Sequence, residues 1–176
     1  MTYIRTIGDD EAAGTVAKVY DTAKADGGVY ETTRLLSLWP EAMVMEGRRY
    51  QTVMLDETDL SRAEKEMIAT VVSAKNHCTY CWKHHMQSVV DAGGNARVAR
   101  QLVNDYPNAD IDARTRAMLD FATTARPHEA TEGTVERLRE HGFSDRQILE
   151  IIIVAGFFED YNLRVSIFGL ELEDWA

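Results

Sequence analysis

Helical periodicity extends over almost all of this 176-residue chain, and it restricts the possible fold more than any other feature of the sequence. Apolar residues recur three and four positions apart in successive segments, which is the pattern of an amphipathic helix. No run of four or more residues shows the apolar–polar alternation of a half-buried strand. The sequence therefore predicts an all-α fold in a single domain, and a chain of this length can bury a substantial core.

Capping residues, glycines and prolines predict where the helices begin and end. In a capping box, the N-cap side chain and the side chain three residues later each bond the other residue's backbone amide. Ser61 with Glu64 and Ser144 with Gln147 fit this pattern, so they predict the starts of two long helices. The other predicted helices cover about residues 10–25, a segment opened by Pro40, 78–93, 96–104, a segment from near Asp112 to before Pro127, and 131–141.

These helices form one domain with three consecutive parts. We expect N-terminal helices over about residues 9–55, a central segment over about 60–93 that holds the candidate catalytic residues, and C-terminal helices over about 95–172.

The formal net charge of −10 would repel nucleic acid and anionic membranes. No apolar stretch approaches the ~20 residues that span a bilayer, and the first residues lack the apolar core of a signal peptide. We therefore expect a cytoplasmic protein that binds neither nucleic acid nor membrane.

The only two cysteines of the chain, Cys78 and Cys81, lie three positions apart in the central segment. If Cys78 occupies the first turn of its helix, the unpaired amides and the positive end of the macrodipole favour a thiolate there. Cys81 then lies one turn further along, where the two sulfurs can form a disulfide. His85 follows four residues after Cys81, so a neutral imidazole there can accept the Cys81 proton.

A carboxylate partner for His85 is predicted on the preceding helix. The break at residues 76–77 makes the two helices pack antiparallel or at a steep angle. Glu66, near the middle of the first of these helices, can then face His85, orient its ring and raise its basicity. The competing candidate, Glu64, is already engaged by the capping box.

Other interpretations of these residues remain open. Together with His84 and His85, the two cysteines could supply four ligands to a structural zinc ion. Adjacent histidines on a helix point about 100° apart, however, so both cannot easily reach one ion. The cysteines could also be inert buried residues, His85 an ordinary core histidine, and Glu66 a plain surface charge.

The sequence around the cysteine pair resembles that of a known family. Residues 61–68, residues 71–76, the run Cys78-Thr79-Tyr80-Cys81 and the pair His84-His85 are similar to the core of the alkylhydroperoxidase D-like (AhpD-like) proteins. These proteins belong to the carboxymuconolactone decarboxylase superfamily, and the chain is most similar to the subgroup of peroxidase-related enzymes. The similarity extends over nearly the whole chain, through segments 9–12, 36–40, 116–122 and 142–162.

This resemblance implies an AhpD-like helical fold, homo-oligomers and thiol-dependent reduction of alkyl hydroperoxides, with no cofactor and no metal. Matched by position, Cys81 corresponds to the peroxide-attacking cysteine and Cys78 to the resolving cysteine, while His85 and Glu66 correspond to members of the proton relay. Tyr80 departs from the best-studied branch, which has a second histidine there. The implied partners are a hydroperoxide and a thiol or dithiol reductant.

The segment 151–158 is apolar nearly all round, so we expect it to be buried on several sides and to contribute to a helix-rich subunit interface.

Two alternative functions of the protein remain open. One is a non-catalytic redox sensor that uses the same disulfide as a switch. The other is a lactone decarboxylase of the superfamily's namesake type, whose chemistry needs no cysteine pair.

Overall fold

The computed structural model describes residues 2–124 and 132–173, and every regular element in these ranges is helical. The prediction of an all-α, single-domain fold is confirmed. Short 3₁₀ turns cover Leu36–Leu38 and Tyr106–Asn108, and a π-helical turn covers Gln51–Leu55. The α-helices are α1 (Gly14–Ala25), α2 (Glu31–Leu35), α3 (Pro40–Tyr50), α4 (Arg62–Lys75), α5 (Thr79–Asp91), α6 (Ala96–Asn104), α7 (Ala113–Thr124), α8 (Glu132–Glu140) and α9 (Asp145–Phe168).

Helix α4 lies at the centre of the fold, packed against α5, α6, α7 and α9. Its N-terminus is fixed by the predicted capping box: Ser61 Oγ accepts from the Glu64 amide at 3.3 Å, and Glu64 Oε2 accepts from the Ser61 amide at 2.8 Å. Ser144 and Gln147 cap α9 in the same reciprocal way. Both predicted boxes are confirmed, and a central α4 carries Glu66 into the interior of the protein.

The boundaries of most helices agree with the prediction. Helix α6 covers the predicted residues, but α1 begins at Gly14 rather than near Asp10. Residues 9–11 form a turn instead, in which the Glu11 amide donates to the Gly8 carbonyl at 3.2 Å. Helix α2 is not predicted, because five residues are too few to show a helical period. Parts of the predictions around α7 and α8, near Pro127 and Thr131, lie outside the described residues.

A tight turn between α4 and α5 places the cysteine pair. His77 adopts a left-handed backbone with φ of +56°, a region in which histidine is one of the more tolerated side chains. The Cys78 amide then donates to the Ser73 carbonyl at 2.9 Å, so Cys78 lies directly at the start of α5. Helix α5 therefore packs along α4, as the break at residues 76–77 predicts.

Helix α9 has one face buried within the chain and another that is exposed. The buried face packs on the main core through residues such as Ile151, Val154 and Phe158. The exposed face carries large aliphatic side chains, which are Leu149, Ile152, Ile153, Leu163 and Ile167. No helix within the described ranges combines the length and the apolar character needed to cross a bilayer.

Candidate active site

The two cysteines lie together at the start of α5, as free thiols. Cys78 is the N-cap residue, and its sulfur accepts a hydrogen bond from the Cys81 amide at 3.4 Å. The two sulfur atoms are 2.7 Å apart. A disulfide requires about 2.05 Å between them, so small side-chain movements suffice to form one.

The two sulfurs differ in acidity because they share one hydrogen bond. The hydrogen bond between the two sulfurs, helped by the Cys81 amide, lowers the pKa of Cys78 against the opposing effect of burial. The same bond, together with burial and the charge on Cys78, raises the pKa of Cys81. An attack by Cys81 therefore needs a base that removes its proton.

The predicted base and its carboxylate are in direct contact. His85 Nδ1 lies 2.6 Å from Glu66 Oε2, and the Glu66 side chain is fully buried. A carboxylate can only accept, so the Nδ1 proton is donated to Glu66 and the Nε2 lone pair is left as the proton acceptor. Phe158 packs edge-on against the His85 ring, with the ring centroids 4.4 Å apart. The imidazole is therefore oriented by one hydrogen bond and by one aromatic wall.

Arg62 completes this arrangement, and the sequence interpretation missed it. Its Nε donates to the second oxygen of Glu66, Oε1, at 2.7 Å, and its Nη1 donates to the Met54 carbonyl at 3.2 Å. Each oxygen of the buried carboxylate thus has its own hydrogen-bond partner, so neither oxygen is buried unpaired. The four-residue spacing of Arg62 and Glu66 on one helix was the available signal.

A second carboxylate binds α5 from the other end of the chain. Glu173 Oε1 accepts from the Tyr80 hydroxyl at 2.5 Å and from the Glu31 amide at 2.7 Å, and Oε2 accepts from His84 Nε2 at 3.0 Å. Burial would raise the pKa of Glu173, but the hydrogen bonds from His84 and Tyr80 outweigh it and lower the pKa to about 2. No sequence signal indicated this site.

The hydrogen bond to Glu173 also defines the role of Tyr80. Burial raises the pKa of Tyr80 above its usual value, and the hydrogen bond to the Glu173 carboxylate raises it further. The phenol therefore stays protonated and donates to Glu173. It cannot replace the second histidine of the best-studied branch as a base at neutral pH.

The four residues predicted for the site fall into two contacting pairs on adjacent helices. Cys78 contacts Cys81, and Glu66 contacts His85, while His85 lies one helical turn beyond Cys81. Their chemical roles stay predictions. His84 and His85 are hydrogen-bonded to different glutamates, which disfavours a zinc ion shared by both. Within the described residues, no cluster of three or more His, Cys, Asp and Glu side chains is arranged to hold a metal ion.

Comparison with known proteins identifies the family and the fold. The model of the carboxymuconolactone decarboxylase family matches residues 47–104, which include α4, α5 and both cysteines. The solved structure of a peroxidase-related protein from a Silicibacter species is 34% identical, covers 98% of this chain and 89% of its own, and superposes with a TM-score of 0.85. This chain belongs to the AhpD-like proteins of the carboxymuconolactone decarboxylase superfamily.

Further solved structures share this AhpD-like fold. A peroxidase-related protein with an alkylhydroperoxidase AhpD core, from Ralstonia eutropha, is 29% identical over 99% of this chain and 93% of its own, with a TM-score of 0.86. The debrominase Bmp8 is 16% identical over 99% and 95%, with a TM-score of 0.79, which shows the fold alone. No protein with a curated description matches the chain. The superfamily contains enzymes, and the resemblance inferred from the cysteine motif is confirmed.

Proposed function

We propose that this protein is a thiol-dependent peroxidase that reduces alkyl hydroperoxides through a dithiol–disulfide cycle of Cys78 and Cys81. The observation that carries the proposal is the 2.6 Å bond between buried Glu66 and His85, one turn beyond Cys81. A buried carboxylate that orients an imidazole next to a thiol of raised pKa is the arrangement that general-base activation requires. An inert cysteine pair would need no such base.

In the first half of the cycle, His85 removes the proton from Cys81. The Cys81 thiolate attacks the terminal oxygen of the hydroperoxide, so that a sulfur–oxygen bond forms and the oxygen–oxygen bond breaks. The departing alkoxide takes the proton from the His85 imidazolium and leaves as an alcohol. Glu66 holds the imidazolium during this step, since its negative charge stabilises the positive ring.

In the second half, the Cys78 thiolate attacks the sulfenic acid on Cys81. A disulfide forms, and the hydroxide that leaves is protonated to water. The lowered pKa of Cys78 suits this resolving role, because it favours the thiolate that attacks. An external dithiol then reduces the disulfide by exchange and becomes a disulfide itself.

We also propose that the protein forms homo-oligomers through the exposed face of α9. The aliphatic side chains on that face have no apolar cover within the described chain, and they line a helix 24 residues long. A second copy that presents the same face would bury them in a symmetric interface. Leu163→Glu, at the centre of that face, should shift the protein toward the monomer in sedimentation velocity, with Glu136→Gln on α8 as an exposed control.

The activity is tested with reduced protein, cumene hydroperoxide and dithiothreitol as electron donor. Without the donor, we expect both thiols of each chain to be lost on adding peroxide; with the donor, we expect many turnovers per chain. A redox sensor would oxidise once and stop, and a lactone decarboxylase would keep both thiols. A protein that carries Cys78→Ser and Cys81→Ser together measures the background rate. Unchanged thiol content after peroxide addition would refute the proposal.

A further inference from the structure

The cysteine pair is nearly inaccessible in the closed structure, with Cys78 2% and Cys81 3% exposed. Both belong to a small buried cluster that also contains Leu170, and Leu172 packs against the edge of this cluster. These two leucines come after α9, at the end of the described chain. The cover over the sulfurs therefore includes a short C-terminal segment as well as the helices that supply Leu35 and Val165.

This segment, residues 169–173, is called the strap below. It leaves α9 at Gly169, which caps the helix in the left-handed conformation with φ of +63°. The Leu170 amide then donates to the Val165 carbonyl at 3.1 Å, a bond typical of a glycine C-cap. The helix thus ends at a single glycine, and Glu173 of the strap contacts the first two turns of α5.

The far end of the strap is fastened by one carboxylate. Glu173 accepts hydrogen bonds from Tyr80 and His84 on α5 and from the backbone amide of Glu31 at the start of α2. Its side chain is 4% exposed, and all three bonds are part-buried. Hydrogen bonds to a buried charge are among the stronger contacts that a short segment can make.

Tyr80 connects the strap directly to the dithiol, since it lies between the two cysteines in sequence and belongs to the same buried cluster. When Glu173 is in place, the phenol is held and Leu170 packs among the residues that enclose the sulfurs. If Glu173 were released, the strap would lose its bonds to α5 and to the start of α2. A five-residue segment with a glycine at one end would then open locally far more often than the helices unfold.

We propose that Glu173 is a specificity-determining residue of the dithiol site: it fastens the strap over Cys78 and Cys81, so that small reagents reach the sulfurs more readily than bulky ones. This inference rests on the proposed function, because it concerns which oxidants and thiols can take part in the cycle. Small hydroperoxides need only brief, partial opening. A bulky thiol donor has to wait for the strap to swing away about Gly169.

The test measures alkylation of the reduced protein by iodoacetamide and by a maleimide that carries a polyethylene glycol chain. Glu173→Ala should accelerate the bulky maleimide by about ten- to a hundredfold, because the fraction of open strap rises as the charged hydrogen bonds are lost. Iodoacetamide should be accelerated less. Glu140→Ala, an exposed acidic residue at the end of α8, is the control and should leave both rates unchanged.

Tyr80→Phe provides a second variant, since it removes one of the three donors without removing any apolar surface. It should change the two rates in the same direction as Glu173→Ala, while circular dichroism shows an unchanged helix content. Equal maleimide rates for wild type, Glu173→Ala and Tyr80→Phe would overturn the proposal. No peroxide is used, so a protein that fails as a peroxidase can still show a gated dithiol, and an active peroxidase can still lack the gate.

Discussion

Two neighbouring histidines of α5, His84 and His85, are each hydrogen-bonded to a buried glutamate, yet the two pairs differ in origin. Glu66 comes from the adjacent helix α4, in the middle of the core, and Arg62 holds its second oxygen. Glu173 comes from the strap, and its remaining donors are a phenol and a backbone amide. The same chemical pair therefore occurs once on a rigid core helix and once on a segment that can detach.

This difference indicates that the two glutamate–histidine pairs have different roles at one dithiol. A base must keep its position through every turnover, and a pair between two core helices offers that constancy. A cover must move if the sulfurs are to be reached, and a pair on a short C-terminal segment allows it. We therefore assign activation to the Glu66 pair and access to the Glu173 pair, and the predictions below test that assignment.

The largest effects are expected at the dithiol that both pairs serve. Cys81→Ser should reduce hydroperoxide consumption to the background rate, because the attacking sulfur is lost. Cys78→Ser should allow one oxidation per chain, leaving a sulfenic acid that dimedone traps and mass spectrometry detects. The reverse pattern, with a trapped sulfenic acid in Cys81→Ser and none in Cys78→Ser, would make Cys78 the attacking residue.

The two histidines should respond very differently to the same substitution. His85→Gln should lower kcat/KM for cumene hydroperoxide by roughly 100- to 10,000-fold, the usual contribution of a general base. His84→Gln removes only one donor to Glu173, so the same constant should stay within about tenfold of wild type. Similar losses in the two variants, measured under identical conditions, would remove the distinction between the pairs.

Arg62 should have an intermediate effect, confined to the Glu66 pair. Arg62→Met should lower kcat/KM by about tenfold, because one charged hydrogen bond to the carboxylate is lost. Arg62→Lys keeps a cation and a donor at that position, so it should restore part of the rate. Equal kcat/KM for wild type and Arg62→Met would show that Arg62 does not support the Glu66–His85 pair.

The smallest effect is expected in the acid stability that Glu173 provides. Its pKa in the folded protein is lowered from 4.5 to about 2. A lowered pKa stabilises the fold above pH 4.5, and this contribution is lost as the pH falls from 4.5 toward about 2. Urea unfolding of wild type should therefore weaken more than that of Glu173→Gln across this interval. Parallel curves for the two proteins would show that Glu173 is not paired in solution.

The same comparison explains how much could be predicted from sequence. The Glu66–His85 contact was predictable because both residues lie on helices joined by a short break, so local spacing determines which faces meet. Capping boxes predicted the start of α4 and of α9 for the same reason, since all their atoms lie within four consecutive residues.

Contacts between residues that are far apart in the sequence were not predictable in this way. Glu173 is 93 residues from Tyr80 and 89 from His84, and it reaches them only through the path of α9 and the turn at Gly169. No periodicity or motif in the sequence indicates this path. The four-residue spacing of Arg62 and Glu66 could have indicated their contact. Charged residues with this spacing are common on helix surfaces, however, and the role of Arg62 is evident only from the burial of Glu66.

The central claim is that the Glu66–His85 pair activates the dithiol, and single-turnover oxidation tests it most directly. Reduced wild type, Glu66→Gln and Glu173→Gln are mixed rapidly with cumene hydroperoxide, and the loss of thiols is followed in time without a reductant. We predict that Glu66→Gln reacts at least about a hundredfold more slowly than wild type, whereas Glu173→Gln reacts at least as fast as wild type. Equal rates for Glu66→Gln and wild type would contradict the claim.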